Sequence, residues 1–103
     1  MNKLTLSILA AAALAFACGS AQAAGSAAAG KTKAQACADC HGDDGKGDDK
    51  NPQIAGLSVD KFTKAMGEYK AGTRTKSQKM IKEAKKLSDA DVADLAAYYS
   101  TLK

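Results

Sequence analysis

The sequence has little from which to build a core. Its 103 residues hold no tryptophan, two phenylalanines and three tyrosines. There is a single proline and a single histidine, and mean hydropathy is −0.27. No segment shows a convincing strand pattern, which excludes the βαβ setting of a thioredoxin-like redox pair. The basic residues have almost no aromatic residues interleaved among them, which speaks against nucleic-acid binding. What is abundant is alanine, lysine and aspartate, in patterns that favour short helices and polar loops.

The N-terminus carries an export pattern. Asn2-Lys3 is a short basic start, and Leu4 to Phe16 is an apolar run broken by Thr5 and Ser7. Ala21-Gln22-Ala23 fits the small-x-small rule for cleavage, so residues 1–23 read as a signal peptide. The run is short for a membrane span, so no membrane insertion is expected after cleavage. Cys18 falls inside this segment, behind Ala15-Phe16-Ala17, a poor lipoprotein box. The remaining domain, 24–103, is at the size where a hydrophobic core alone stabilises weakly and a staple is usually needed.

The stretch Cys37-Ala38-Asp39-Cys40-His41 is Cys-x-x-Cys-His, the attachment signature of a c-type haem. Two thiols at this spacing can each add to one vinyl group on the same porphyrin edge. The histidine directly after the second thiol is then held beneath the ring, within reach of the iron. Other uses of these residues fit less well. A zinc site needs four ligands, and two cysteines plus one histidine would require a carboxylate as the fourth. A disulfide between Cys37 and Cys40 is possible in an oxidising compartment but leaves His41 without a role.

The rest of the chain reads as all-α, without internal repeats. Ala24 to Gly30 looks like a flexible leader, and Lys31 to Cys40 like a short first helix ending at the motif. Gly42 to Asn51, rich in glycine and aspartate, is a loop. Its spacing does not match an EF-hand, and a solvated loop is the better reading. Ser58 caps a helix over 59–71 that stops at Gly72, with Phe62, Ala65, Met66 and Tyr69 on one face. Residues 73–79 read as loop, and 80–86 as a turn of helix. Ser88-Asp89-Ala90-Asp91 resembles a capping box and opens a last helix reaching about Leu102. Its stripe is Val92, Leu95, Ala96, Tyr99 and Leu102.

A histidine-bound haem iron has a second axial position: methionine there stabilises reduced iron and gives an electron carrier, whereas an empty position gives a site for small ligands, as in a haem sensor. Met66 sits on the apolar stripe of a helix, where core packing is the simpler reading. Met80 sits between a polar loop and a helical turn, a place from which a side chain can be aimed at a ring.

These residues together resemble a small monohaem class I cytochrome c of the bacterial periplasmic type. Cys37 to Gly42 matches the family's attachment motif. Asn51-Pro52-Gln53-Ile54-Ala55-Gly56-Leu57 is similar to its Pro-x-Leu-x-Gly segment, and Tyr69 to Arg74 to its Tyr-Lys-x-Gly-x-Arg. Lys79-Met80, with Leu87 to Val92 and Leu95 to Tyr99, looks like its methionine loop and final helix.

The resemblance implies three to four helices wrapped around one covalent haem. Cys37 and Cys40 would carry the thioethers, with His41 and Met80 as iron ligands. The Pro52 carbonyl would accept a hydrogen bond from His41. Leu95 and Tyr98 would pack the last helix on the first, and Tyr69 and Arg74 would be candidate propionate donors.

The function implied is periplasmic one-electron transfer rather than enzymatic turnover, since an iron with both axial positions filled offers no place for a substrate. Charge is unevenly spread. Residues 39–50 hold five acids and two bases, whereas 61–86 hold nine bases and two acids. A basic surface of this kind favours redox partners, a reductase and a terminal acceptor, with acidic docking faces. The bland alternative is lysines solvated on helix faces.

Overall fold

The computed structural model describes residues 25–103. The signal-peptide reading and Cys18 lie outside the described residues. Among the described residues five helices follow one another: α1 (Ala27–Lys33), α2 (Gln35–His41), α3 (Val59–Ala71), α4 (Gln78–Lys85) and α5 (Asp89–Ser100).

Four of the five starts are set by serine. Ser26, Ser58, Ser77 and Ser88 each sit before a helix in extended conformation and accept from a backbone N–H of its first turn. Each such cap stabilises by about 1 kcal/mol. Ser88 and Asp91 form the full reciprocal capping box, with aspartate in the role usually held by glutamate. Gly72 ends α3 in the left-handed conformation, its N–H returning to Tyr69 and Glu68 carbonyls.

The first helix starts earlier than expected. Residues 27–30 are helical rather than a flexible leader, and the helix expected to start at Lys31 is two helices with a tight turn at Ala34. The reason lies in the packing. α1 docks chiefly on α5. A β-carbon on Gly30 would lie 2.0 Å from the Asp94 carbonyl oxygen and 2.7 Å from Tyr98 Cβ. A glycine there lets the two backbones touch, and Gly30 is buried. Charged groups lock the contact. Asp94 accepts from the Ser26 N–H at 2.8 Å and from Lys33 Nζ at 2.6 Å, and Lys33 also reaches Asp91 at 2.8 Å. Residues that looked idle as sequence thus tie the N-terminal helix down. Tyr98, expected to pack the last helix on the first, meets α1 at Gly30.

The core is small. Phe62 and Met66 from α3, Ala84 from α4, and Val92, Leu95, Ala96 and Tyr99 from α5 form one buried cluster with Ala34. The stripes read from the sequence are the buried faces of α3 and α5. Tyr99 stacks on Phe62 at 5.7 Å between ring centroids and meets Tyr98 edge-on at 5.2 Å. Burying a large apolar side chain contributes about 1.5–3 kcal/mol, but three members of the cluster are alanines.

α4 is longer than one turn. Ser77 caps it, so Met80 lies in its first turn with its N–H held by Ser77 Oγ at 3.1 Å.

Candidate functional site

Cys37, Cys40 and His41 share α2, a helix of two turns, and α2 ends at Gly42, whose φ of +88° turns the chain away. Helical spacing puts Cys37 and His41 one turn apart on one face, with Cys40 beside them. Both cysteines are free thiols and half-buried. Cys37 packs against the core cluster that contains Tyr99. Burial pushes the Cys37 thiol above its ordinary range, and the Tyr99 hydroxyl likewise.

His41 is 8% exposed, the one buried polar residue among those described. Its Nδ1 lies 2.8 Å from the Pro52 carbonyl oxygen. A carbonyl can only accept, so Nδ1 carries the proton and donates. In a ring with its proton on Nδ1, Nε2 is the nitrogen that can bind a metal.

The loop between α2 and α3 delivers that carbonyl. The Gly47 N–H donates to the His41 carbonyl at 2.7 Å, and the Asp48 N–H to Asn51 at 2.8 Å. The Asp48 carboxylate accepts from the N–H groups of Lys50 and Asn51 and from the Asn51 amide. These bonds hold Asp48 well below the usual carboxylate range. Asp44 similarly accepts from the Lys46 N–H. The two aspartates close turns of their own loop. Gly47 has φ +72°, and a β-carbon on it would fall 2.6 Å from the Pro52 oxygen and 2.2 Å from that of Asn51. Nothing in the sequence marked Gly47 from the other loop glycines, yet it makes room for the bond to His41.

The remaining candidates fall in two places. Met80 is half-buried and packs against the core cluster from the first turn of α4. Met66 is 5% exposed inside the cluster. Lys79, beside Met80, places Nζ 3.3 Å from Cys40 Sγ, a contact between residues 39 apart that sequence reasoning did not foresee. Arg74 pairs with Glu68 at 2.8 Å and lies over the Tyr69 ring at 5.5 Å, so its guanidinium already has a partner.

The donor set fits covalent haem. Two unpaired thiols and an imidazole with its metal-binding nitrogen free lie on one short helix, with a thioether-bearing residue half-buried on another. Among the described residues, no group of three or more histidine, cysteine or acidic side chains could hold a metal ion by itself. The fold and site thus define an all-helical c-type haem protein.

Comparison with known proteins agrees. Residues 27–103 match the family model for cytochrome c. The chain is 43% identical over its whole length to cytochrome c4 of Pseudomonas aeruginosa, covering 50% of that protein. It is 41% identical to cytochrome c-554(548) of Halomonas halodenitrificans, over 76% of this chain and 98% of that one. The crystal structure of reduced recombinant cytochrome c4 from Pseudomonas stutzeri superposes with a TM-score of 0.68 and 34% identity, over 78% of this chain and 47% of that one. The chain spans about half the length of the cytochrome c4 relatives it matches. It belongs to the cytochrome c family. Members of this family carry covalent haem c, and here Cys37 and Cys40 are the cysteines that attach it.

Proposed function

We propose that this protein is a soluble periplasmic one-electron carrier whose haem iron is held between His41 and Met80. The observation that carries the reading is the 2.8 Å contact from His41 Nδ1 to the Pro52 carbonyl. It supports the tautomer with the proton on Nδ1, orients the ring, and would leave Nε2 available as a ligand. The haem, when bound, supplies a one-electron couple. The chain holds and shields it. Cys37 and Cys40 would hold the haem through thioethers, and His41 is oriented by the loop through the Pro52 carbonyl. Met80 is presented by a capped helix start, where the Ser77 hydroxyl limits its freedom. Methionine as the second ligand favours reduced iron and suits a carrier. With both positions filled, the protein shuttles electrons and turns over no substrate.

The carrier meets a reductase and a terminal acceptor in the periplasm. Nine bases against two acids in 61–86 favour partners with acidic docking faces. No helix among the described residues is long and apolar enough to cross a membrane. Replacing each methionine tests the ligand assignment. Met80→Ala creates carbon monoxide binding in the reduced holoprotein, visible as a spectral shift. Met66→Ala lowers stability by about 2–5 kcal/mol as a core truncation and leaves the spectrum unresponsive to carbon monoxide. The reverse pattern would assign the iron to Met66.

A further inference from the structure

Lys79 reaches from α4 to the haem-attachment helix and donates to Cys40 Sγ at 3.3 Å. The sulfur here is a thiol and stands for the thioether of the loaded protein. A thioether has no proton to give but remains a weak acceptor, and an ammonium has only donors, so the contact suits the attached form. Lys79 takes part in none of the ion pairs among the described residues; those engage Lys33, Lys70, Arg74 and Lys86. No bonded carboxylate cancels its charge at the sulfur, although Asp39 and Glu83 act on it from a distance. Glu83, on the same helix, pairs with Lys86 instead.

The surroundings are cationic and open. Lys76, Lys79, Lys82, Lys85 and Lys86 are all exposed. Positions 79 and 82 follow helical spacing and share one face of α4, with Lys86 at its C-cap, while Ile81 and Ala84 are buried. The other anchor differs. Cys37 packs on the core behind Tyr99, so Cys40 is the anchor with a charged surface residue on its sulfur.

Given the one-electron reading above, we propose that Lys79 couples docking to redox state. Its ammonium at the Cys40 sulfur favours the reduced centre, and a partner carboxylate that engages Lys79 weakens that preference. Reduction adds one electron from the donor protein, breaks no bond and moves no proton. It removes one positive charge from the centre, so a nearby fixed cation favours it. A carboxylate drawn onto Lys79 offsets the cation. By linkage, such a partner binds the oxidised form more tightly than the reduced, by the same factor. A docked carrier thus gives up its electron more readily than a free one.

Optical redox titration of the holoprotein at low ionic strength tests this, with polyglutamate as the acidic probe. At a fixed ambient potential, Lys79→Gln lowers the reduced-to-oxidised ratio by about three- to tenfold, as expected for loss of one partly screened charge. Lys82→Gln, on the same face but without the sulfur contact, changes it by less than about twofold. Lys79→Arg keeps the wild-type ratio. Polyglutamate lowers the ratio in the wild type and in Lys82→Gln, and leaves Lys79→Gln nearly unmoved. Equal potentials for Lys79→Gln and Lys82→Gln would overturn the proposal, and so would an undiminished polyglutamate response in Lys79→Gln. Carbon monoxide added to each reduced protein keeps the two readings apart. Binding by the wild type refutes the Met80 ligand, whereas the potentials decide the role of Lys79.

Discussion

Gly47 is the residue whose replacement discriminates most sharply between a passive loop and a positioning one. Its positive φ and the missing β-carbon together let the Pro52 carbonyl reach His41. Gly47→Ala should destabilise the holoprotein by about 1–3 kcal/mol, read from thermal unfolding. It should also alter the reduction potential, because the imidazole loses its fixed partner. A melt and a potential both equal to wild type would show that the loop does not hold the histidine. The motif itself was legible in the sequence, because Cys-x-x-Cys-His encodes its chemistry in local spacing. Gly47 and Lys79 were not. One depends on a close approach between backbone segments, the other on a side chain 39 residues from its sulfur acceptor.

Among the elements, the contact of α1 with α5 decides whether the N-terminus is part of the fold. Gly30→Ala pushes a methyl group into the Asp94 carbonyl and should cost about 1–3 kcal/mol or more. Gly67 in α3 is the control. It is exposed, nothing lies within 4 Å of its β-carbon position, and Gly67→Ala should stabilise by about 0.5–1 kcal/mol. Chemical denaturation of both variants checks the pair, and a harmless Gly30→Ala would mean that α1 is not docked.

The same contact is pH-sensitive. Lys33 and the Ser88 backbone N–H hold the Asp91 carboxyl down at about 2, and Lys33 also holds Asp94 below its ordinary range. A depressed carboxylate stabilises fully above its unfolded pKa of about 3.9. That contribution is lost as pH falls from there toward about 2. The difference in melting temperature between wild type and Lys33→Ala should therefore be constant at pH 5–7 and shrink between pH 4 and pH 2. A difference independent of pH would rule the clamp out. The helices with periodic apolar faces and serine caps, α3 and α5, were readable because their signals are local. The start of α1 was not. A run of small residues reads as a flexible leader until the groove that needs small residues is known.

The molecule as a whole is a thin shell. Ten apolar residues are buried among those described, and four of them are alanines. A domain of this size with so few large buried side chains sits at the margin of stability without a staple. The haem-free chain should lack most of its helix and any cooperative melt by far-UV circular dichroism. A folded, cooperatively melting apoprotein would contradict this. The all-helical class was legible from the absence of strand patterns together with two strong helical stripes, and the charge asymmetry from simple counting. Which lysine meets the site was not, since that follows from a side chain that reaches from α4 to Cys40, 39 residues away.

The proposed carrier holds its iron from both sides with residues of its own chain. The most direct test is the optical spectrum of the unmodified, reduced holoprotein at neutral pH before and after carbon monoxide. An unchanged spectrum is the predicted result, with His41 and Met80 both bound. A prompt shift would mean an open or easily vacated position, and the protein would then be a haem-ligand binder rather than a shuttle.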